Sequence, residues 1–356
     1  MLKQALPCYD TTRAYRWNYD QAPILSDLTD VLPAVPAVSG DHWFCNRKVG
    51  SPLGVSAGPL LNGKWCLYYA ALGFDVLTYK TVRSSSRACY PLPNLLPVDV
   101  EVMRGGEPSV SAERSMSGSW AVSFGMPSAE PESWRRDVQA TRDSLPASKV
   151  LSVSVVGTVQ DGWGMEELAS DYARCAKWAV ESGADCVETN FSCPNVSSCD
   201  GQLFQSPENS RLIARVLREA IGDTPLIIKV GHLTSVPEIE RLVDAIGNDV
   251  DAISMTNSIA TRVVEADGAT MFDGQPRGIC GDAIRVASIE QTRQFANVIR
   301  SRSMDLKLIG VGGIRSAQHI REYMDAGAHA CHLATSAMVD PMIGIEIRKV
   351  MASGHQ

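Results

Sequence analysis

The sequence predicts an α/β fold: a (β/α)8 barrel of the TIM type, with an N-terminal extension over residues 1–50 and a long loop insertion, 83–148, after the second strand. Three observations carry this. From about residue 51, short β-rich runs alternate with helical patterns, and eight such runs can be counted. Most are continuous apolar stretches, as parallel strands covered on both faces require. The last five units are evenly spaced, which favours a closed barrel over the competing doubly wound sheet.

The expected strands are Gly54–Ala57, Asp75–Lys80, Leu151–Gly157, Cys186–Phe191, Leu226–Val230, Ala252–Asn257, Lys307–Val311 and Ala330–Thr335. Helices fall between them. Glu166–Glu181 gathers Leu168, Tyr172, Cys175, Ala179 and Val180 on one face. Pro207–Ala220 starts with proline after Ser206, a residue type suited to an N-cap. Ser235-Val-Pro-Glu238 reads as a capping box before Ile239, Leu242, Val243 and Ile246. Arg285–Ile299 and Ser316–Ala326 follow the same period. The insertion contains Pro91, Pro93, Pro97, Gly105, Gly106 and Gly118, and long loops at a barrel mouth commonly build its active site. The division is therefore an extension, 1–50, packed on a barrel, 51–356.

Composition narrows the function. The 356 residues are 45% hydrophobic and 21% charged, with a net charge of −7. A mildly acidic chain without basic runs suits neither nucleic acid nor an anionic membrane. No stretch reaches the roughly 20 apolar residues of a membrane span, and the first 19 residues lack the continuous apolar segment of a secretory signal. Of the ten cysteines, Cys66, Cys175, Cys186 and Cys331 sit in apolar patterns as small core residues. No CxxC pair occurs, so no metal site is expected. A reducing cytoplasmic setting follows.

The ends of barrel strands point at the active site. Here they are Ala57-Gly58, Lys80-Thr81, Asn190, Lys229, Asn257-Ser258, Gly312-Gly313 and Thr335-Ser336, with Cys193 just beyond one strand. Glycine lets backbone N–H groups approach an anion, so the turns after the seventh and eighth strands suit a phosphate, although two tight turns would look the same. Gly-Val-Gly-Gly lacks the GxGxxG spacing of a dinucleotide fingerprint. Lys80 and Lys229 end apolar runs, where lysine needs a partner. Each is a structural ion pair, a fixed cation facing an electron-rich group, or a Schiff-base amine. Cys193 sits in a polar loop between Asn190 and Asn195, where a thiol is either inert or a general base. Asn190, Asn195 and Asn257 offer the donor–acceptor pairs of a cyclic amide's complement.

With these residues in view, the sequence resembles the flavin-dependent dihydroorotate dehydrogenases, especially the soluble class with a cysteine base. The resemblance covers roughly residues 51–350. Its most specific piece is Asn-Phe-Ser-Cys-Pro-Asn-Val at 190–196. Leu-Thr-Tyr-Lys-Thr at 77–81, Ser-Phe-Gly-Met-Pro at 123–127, Ile-Lys-Val at 228–230, Thr-Asn-Ser-Ile at 256–259 and Gly-Val-Gly-Gly-Ile at 310–314 support it.

The resemblance implies FMN in the barrel mouth. Its phosphate would rest on Gly312, Gly313, Thr335 and Ser336, with Ala57, Gly58 and Thr81 along the ring and ribityl chain. Asn190, Ser258 and Gly281 complete the cofactor set, and Lys229 would face the pyrimidine edge of the flavin. Lys80 would bridge flavin and substrate carboxylate, to which Gly125 and Met126 would offer backbone N–H groups. Asn190, Asn195 and Asn257 would bond the substrate ring, and Cys193 would take a proton from the carbon beside its carbonyl. The implied reaction is oxidation of (S)-dihydroorotate to orotate, in pyrimidine biosynthesis, by a homodimer. No motif identifies the electron acceptor: fumarate, a quinone, dioxygen or a partner protein.

Two departures stand out. The family's substrate-binding asparagine before Ser-x-Gly-x-Pro is Val122 here, and Cys280 stands where the family often has glycine. Val122 and the long insertion point to an alternative, the same flavin chemistry on another cyclic amide or carboxylated substrate. A flavin-free Schiff-base lyase and a non-catalytic barrel are the remaining alternatives.

Overall fold

The computed structural model describes residues 6–192 and 202–354. Cys193, Asn195 and the unassigned Cys199 lie outside the described residues. Eight parallel strands close a barrel: β1 (Leu53–Val55), β2 (Val76–Val82), β3 (Val150–Val155), β4 (Cys186–Asn190), β5 (Leu226–Lys229), β6 (Ala252–Met255), β7 (Lys307–Val311) and β8 (Ala330–Leu333). Each is followed by a helix on the outside: α1 (Gly63–Ala71), α2 (Pro131–Ser144), α3 (Met165–Glu181), α4 (Pro207–Ile221), α5 (Val236–Ile246), α6 (Arg285–Ser301), α7 (Ala317–Asp325) and α8 (Ile343–Ala352). All eight expected strands are present, each within one or two residues at either end.

Helix starts follow local chemistry. Ser206 and Ser316 accept hydrogen bonds from the backbone N–H groups of Asn209 and His319, as N-caps do. The expected capping box at Ser235 takes another form. The Ser235 hydroxyl donates to the Glu238 carboxylate at 2.7 Å and makes no bond to the helix backbone, while that carboxylate also takes backbone hydrogen bonds from Thr234 and Ser235.

The insertion differs from expectation. Residues 83–148 are not one loop, because α2 occupies Pro131–Ser144. That helix buries only Trp134, Val138 and Thr141, so its apolar stripe is too thin to read in sequence. Three further strands, Leu95–Asp99, Ser109–Ala112 and Ser119–Val122, join Ile259–Val264 and Arg277–Gly281 from the segment after β6. These five close a second, smaller barrel. Its strands are short, one contains Pro97, and Ile259–Val264 alternates buried and exposed residues, so no continuous apolar run announces them.

The N-terminal segment packs on the main barrel. Trp65 and Asn62 of the α1 start donate to the carbonyls of Asn18 and Tyr19, and the Tyr68 hydroxyl donates to Pro7 O. A hairpin, His42–Phe44 with Arg47–Val49, closes the N-terminal end. Its Phe44 and Val49 pack with the inward-facing Val76, Val150, Ile227, Ile309 and Ala330. Arg348 of α8 is buried and ties these parts together, donating to Asp75, Gly73 O and Pro36 O at 2.7–2.8 Å. Cys66, Cys175, Cys186 and Cys331 are all buried, as their contexts predict.

Candidate active site

The C-terminal ends of the barrel strands open into a cavity of about 460 Å³. Among the expected site residues it is lined by Ala57, Gly58, Lys80, Thr81, Gly125, Met126, Asn190, Lys229, Asn257, Gly281, Gly312, Gly313, Thr335 and Ser336. Ser258 is the exception: it faces a smaller pocket of about 170 Å³ beside Gly231 and His232. Strand β6 ends at Met255, so the chain has already left the barrel mouth by Ser258.

Lys80 and Thr81 are consecutive, yet both line the cavity. Consecutive strand residues normally face opposite sides. The β2–β3 register slips between Tyr79 and Val82, and this bulge turns both side chains towards the mouth. Thr81 shares a 2.9 Å hydrogen bond with Ser154, and the Lys80 ammonium lies 4.9 Å from the Phe124 ring centroid and 5.9 Å from that of Tyr15. An aromatic face attracts a cation electrostatically. Tyr9 and Tyr15 in turn pack edge-on against Phe124, with centroids 6.1 and 6.0 Å away. The N-terminal segment thus helps seat an active-site lysine. Sequence reading misses this, since nothing in residues 9–15 marks them as neighbours of residue 80.

The opposite wall is built from tight turns. Gly312 and Gly313 have φ of +126° and +64°, a region L side chains rarely adopt. A Cβ there would lie 2.5 Å from Ser288 Oγ or Arg285 Cβ. A Cβ on Gly58 would meet nothing within 4 Å, so it faces open cavity. The Ser336 hydroxyl donates to Ile314 O at 2.6 Å, pinning the turn after β8 to the turn after β7. Arg315 adds a cation to this end and pairs with Asp282 at 3.2 Å.

Lys229 is buried, 6% exposed, at the end of β5. His332 on β8 lines the same floor; burial, then the charge of Lys229, push its ring down to about 3, so it is neutral. Asn190 accepts from the Ser192 N–H at 2.9 Å, and the Asn257 amide donates to Ser192 O. Two of the three expected ring-binding amides are therefore oriented by the chain just before Cys193. The remaining wall is apolar: Leu95, Met116, Trp120, Val122 and Phe124, all from the 83–148 segment. Cys280 also faces the cavity, its thiol 3.4 Å from Asn257 O.

A flat, phosphorylated cofactor fits this layout. Gly58 borders open cavity, the positive-φ turn at Gly312 and Gly313 carries no side chain into it, Thr335 and Ser336 line the same cavity, and Lys229 adds a buried cation to its lining. FMN has these parts: a phosphate, a polyol chain and a ring that collects negative charge on its pyrimidine edge when reduced.

Comparison with known proteins agrees. The family model for dihydroorotate dehydrogenase matches residues 41–353. The chain is 29% identical to the dihydroorotate dehydrogenase of Dictyostelium discoideum over 362 residues, 96% of each. It is 27% identical over 229 residues to the catalytic subunit of dihydroorotate dehydrogenase B (NAD(+)) from Methanothermobacter thermautotrophicus, 63% of this chain and 68% of that one. The crystal structure of DHODH in complex with ferulenol from Eimeria tenella superposes with a TM-score of 0.72, covering 99% of this chain and 92% of that one. At 16% identity this last likeness speaks for the fold alone. No helix among the described residues is long and apolar enough to cross a membrane. With the matched family model spanning most of its length, the chain belongs to the dihydroorotate dehydrogenase family, whose members are FMN-dependent oxidoreductases acting on a small-molecule substrate and an electron acceptor.

Proposed function

We propose that this chain oxidises (S)-dihydroorotate to orotate with FMN, by the cysteine-base route. The observation that carries the reading is the convergence of Lys80, Asn190, Lys229 and Asn257 with the Gly312-Gly313 turn on one cavity. Gly312, Gly313, Thr335 and Ser336 would hold the phosphate, with Ala57, Gly58 and Thr81 along the rest of the cofactor. When bound, FMN supplies the hydride acceptor.

The chain's own residues divide the remaining work. Lys80 pairs with the substrate carboxylate, joined by the backbone N–H groups of Gly125 and Met126. Asn190, Asn195 and Asn257 bond the ring amides and fix which face of the ring meets the cofactor. Cys193, as thiolate, takes the proton from the ring carbon beside the carbonyl. Lys229 places a fixed positive charge where negative charge gathers. The walls contributed by Trp120, Val122 and Phe124 exclude water from these charges.

Val122 favours a second reading, the same chemistry on a less polar or differently substituted cyclic amide. Val122 puts an apolar side chain on the cavity wall where the family pattern has an amide, and Leu95, Met116 and Trp120 extend that apolar wall. Steady-state turnover by the FMN-loaded protein separates the two. Turnover of dihydroorotate supports the first; negligible turnover by a fully loaded protein leaves the second. The proposal also includes a cytoplasmic homodimer, which light scattering on the purified protein tests, and an unassigned electron acceptor.

A further inference from the structure

The interior of a (β/α)8 barrel is ordinarily filled by bulky branched side chains. This one is so filled only at its N-terminal end, where Val76, Val150, Ile227 and Ile309 pack on the hairpin. Two residues further along their strands, and so again inward-facing, come Thr78 and Ser152, paired across β2 and β3, Glu188 on β4, Lys229 and Ser254, paired across β5 and β6, and His332 on β8. All are buried, Glu188 and His332 being 1% exposed. The hydroxyls of Thr78, Ser152 and Ser254, Glu188 Oε1 and both ring nitrogens of His332 have no hydrogen-bond partner among the described residues.

Such groups are few in native proteins, because each one buried dry is costly. Here several share one layer. Thr78, Ser152 and Ser254 are small polar residues where the barrel's N-terminal end has branched apolar ones. Gly54, opposite His332 across β1 and β8, is part of the same arrangement: a Cβ there would collide with the imidazole. Phe44 stacks beneath the ring at 5.6 Å and closes the layer from below. Above, Lys229 and His332 line the floor of the active-site cavity. Unsatisfied donors and acceptors gathered in one polar interior are the groups that buried water satisfies.

Charge gives this layer a task. Glu188 is the only carboxylate on the eight barrel strands, and Lys229 lies on the neighbouring strand, two residues beyond the Ile227 that pairs with Glu188 and close enough for its charge to act on that carboxyl. A buried ammonium without a counter-charge is unfavourable, and so is a lone buried carboxylate. Burial pushes the Glu188 carboxyl up, while Lys229 and the Ser154 hydroxyl pull it back down.

We propose that Glu188 and His332 are positioning residues, linked through ordered water inside the barrel to Lys229, and that Glu188 sets how much positive charge Lys229 presents to the pyrimidine edge of FMN. This rests on the FMN reading of the cavity. It adds residues that touch neither cofactor nor substrate and act only through Lys229. Removing the Glu188 charge leaves Lys229 uncompensated, so reduced, negatively charged flavin becomes easier to form.

The test is potentiometry on FMN-loaded wild-type protein and the Glu188→Gln variant, with a high-resolution crystal structure of the loaded wild type. The expected result is that Glu188→Gln favours two-electron reduction at least tenfold, a rise of about 30 mV in midpoint potential. Ordered water should lie within hydrogen-bond distance of Glu188 Oε1 and of a His332 ring nitrogen. An unchanged or lowered potential in a fully loaded variant overturns the proposal, and so does a dry barrel interior. If Glu188→Gln does not fold or load, the water positions in the wild type decide. A wild-type chain that takes up no FMN defeats the underlying reading; a loaded one with an unmoved potential defeats this inference alone.

Discussion

The Lys80 ammonium sits 4.9 Å from the centroid of the Phe124 ring, on a seat completed by Tyr15. The contact joins the second barrel strand to the 83–148 segment and to the N-terminal extension. A partly desolvated cation–π contact is worth about 0.5–2 kcal/mol. Phe124→Leu should therefore raise KM for a carboxylated substrate roughly threefold to thirtyfold while FMN content is retained. Steady-state kinetics with flavin quantitation checks this; an unchanged KM would mean the ring does not hold the lysine.

Val122 lines the cavity where the family pattern has an amide. Restoring it with Val122→Asn should tighten orotate-like ligands by roughly threefold to tenfold, the net worth of one hydrogen bond of about 0.5–1.5 kcal/mol. A flavin difference titration reads the affinity. Weaker binding would show that the ring edge lies elsewhere.

Gly312 has φ +126°, and a Cβ would stand 2.5 Å from Ser288 Oγ. Gly312→Ala should cost about 1–3 kcal/mol of stability through backbone strain. It should also lower FMN affinity at least tenfold, because this turn is the proposed phosphate cradle. Denaturant melts of the apoprotein and flavin fluorescence titration separate the two effects. Full affinity would move the phosphate away from this turn.

His332 is buried neutral, with its ring pushed down to about 3 by burial first and by Lys229 second. In the unfolded chain it titrates at about 6.5. The unfolded state therefore binds the extra proton between these values, and stability is lost as pH falls from about 6.5 towards about 3. His332→Gln should flatten that acid slope by one proton, about 1.4 kcal/mol per pH unit. Urea melts across pH 4–7 measure it, and parallel slopes would show that the ring is solvated and charged.

Cys193→Ser should keep its flavin but slow reduction by substrate roughly 10²–10⁴-fold, the usual worth of a general base. The defect should be greatest near neutral pH, where a serine hydroxyl holds its proton. Stopped-flow reduction across pH checks this, and unchanged rates would remove the thiol from the mechanism.

The barrel was legible because its strands are apolar runs of the right length, as Leu226–Lys229 and Lys307–Val311 show. Strand ends then located Lys80, Asn190, Lys229 and the Gly312-Gly313 turn, since in this fold strand ends share one mouth. The second, five-stranded barrel was not legible. Ile259–Val264 alternates buried and exposed residues, Ser119–Val122 is only four residues long, and each pairs in part with a strand more than a hundred residues away. Ser258 was misplaced by a strand read two residues too long. Glu188 and His332 went unremarked in the sequence, because a single polar residue in an apolar strand does not show whether it faces the barrel interior until the strand register is known. The aromatic seat from Tyr9 and Tyr15 carries no local signal at all, because it exists only when the N-terminus folds across the mouth.

On the proposed function, this cavity binds FMN and passes electrons to it from a dihydroorotate-type ring. Anaerobic mixing of the FMN-loaded protein with (S)-dihydroorotate, followed at the oxidised flavin band, tests it most directly. The expected result is stoichiometric bleaching with one orotate formed per flavin. A protein that purifies without flavin and refuses FMN on reconstitution would contradict it.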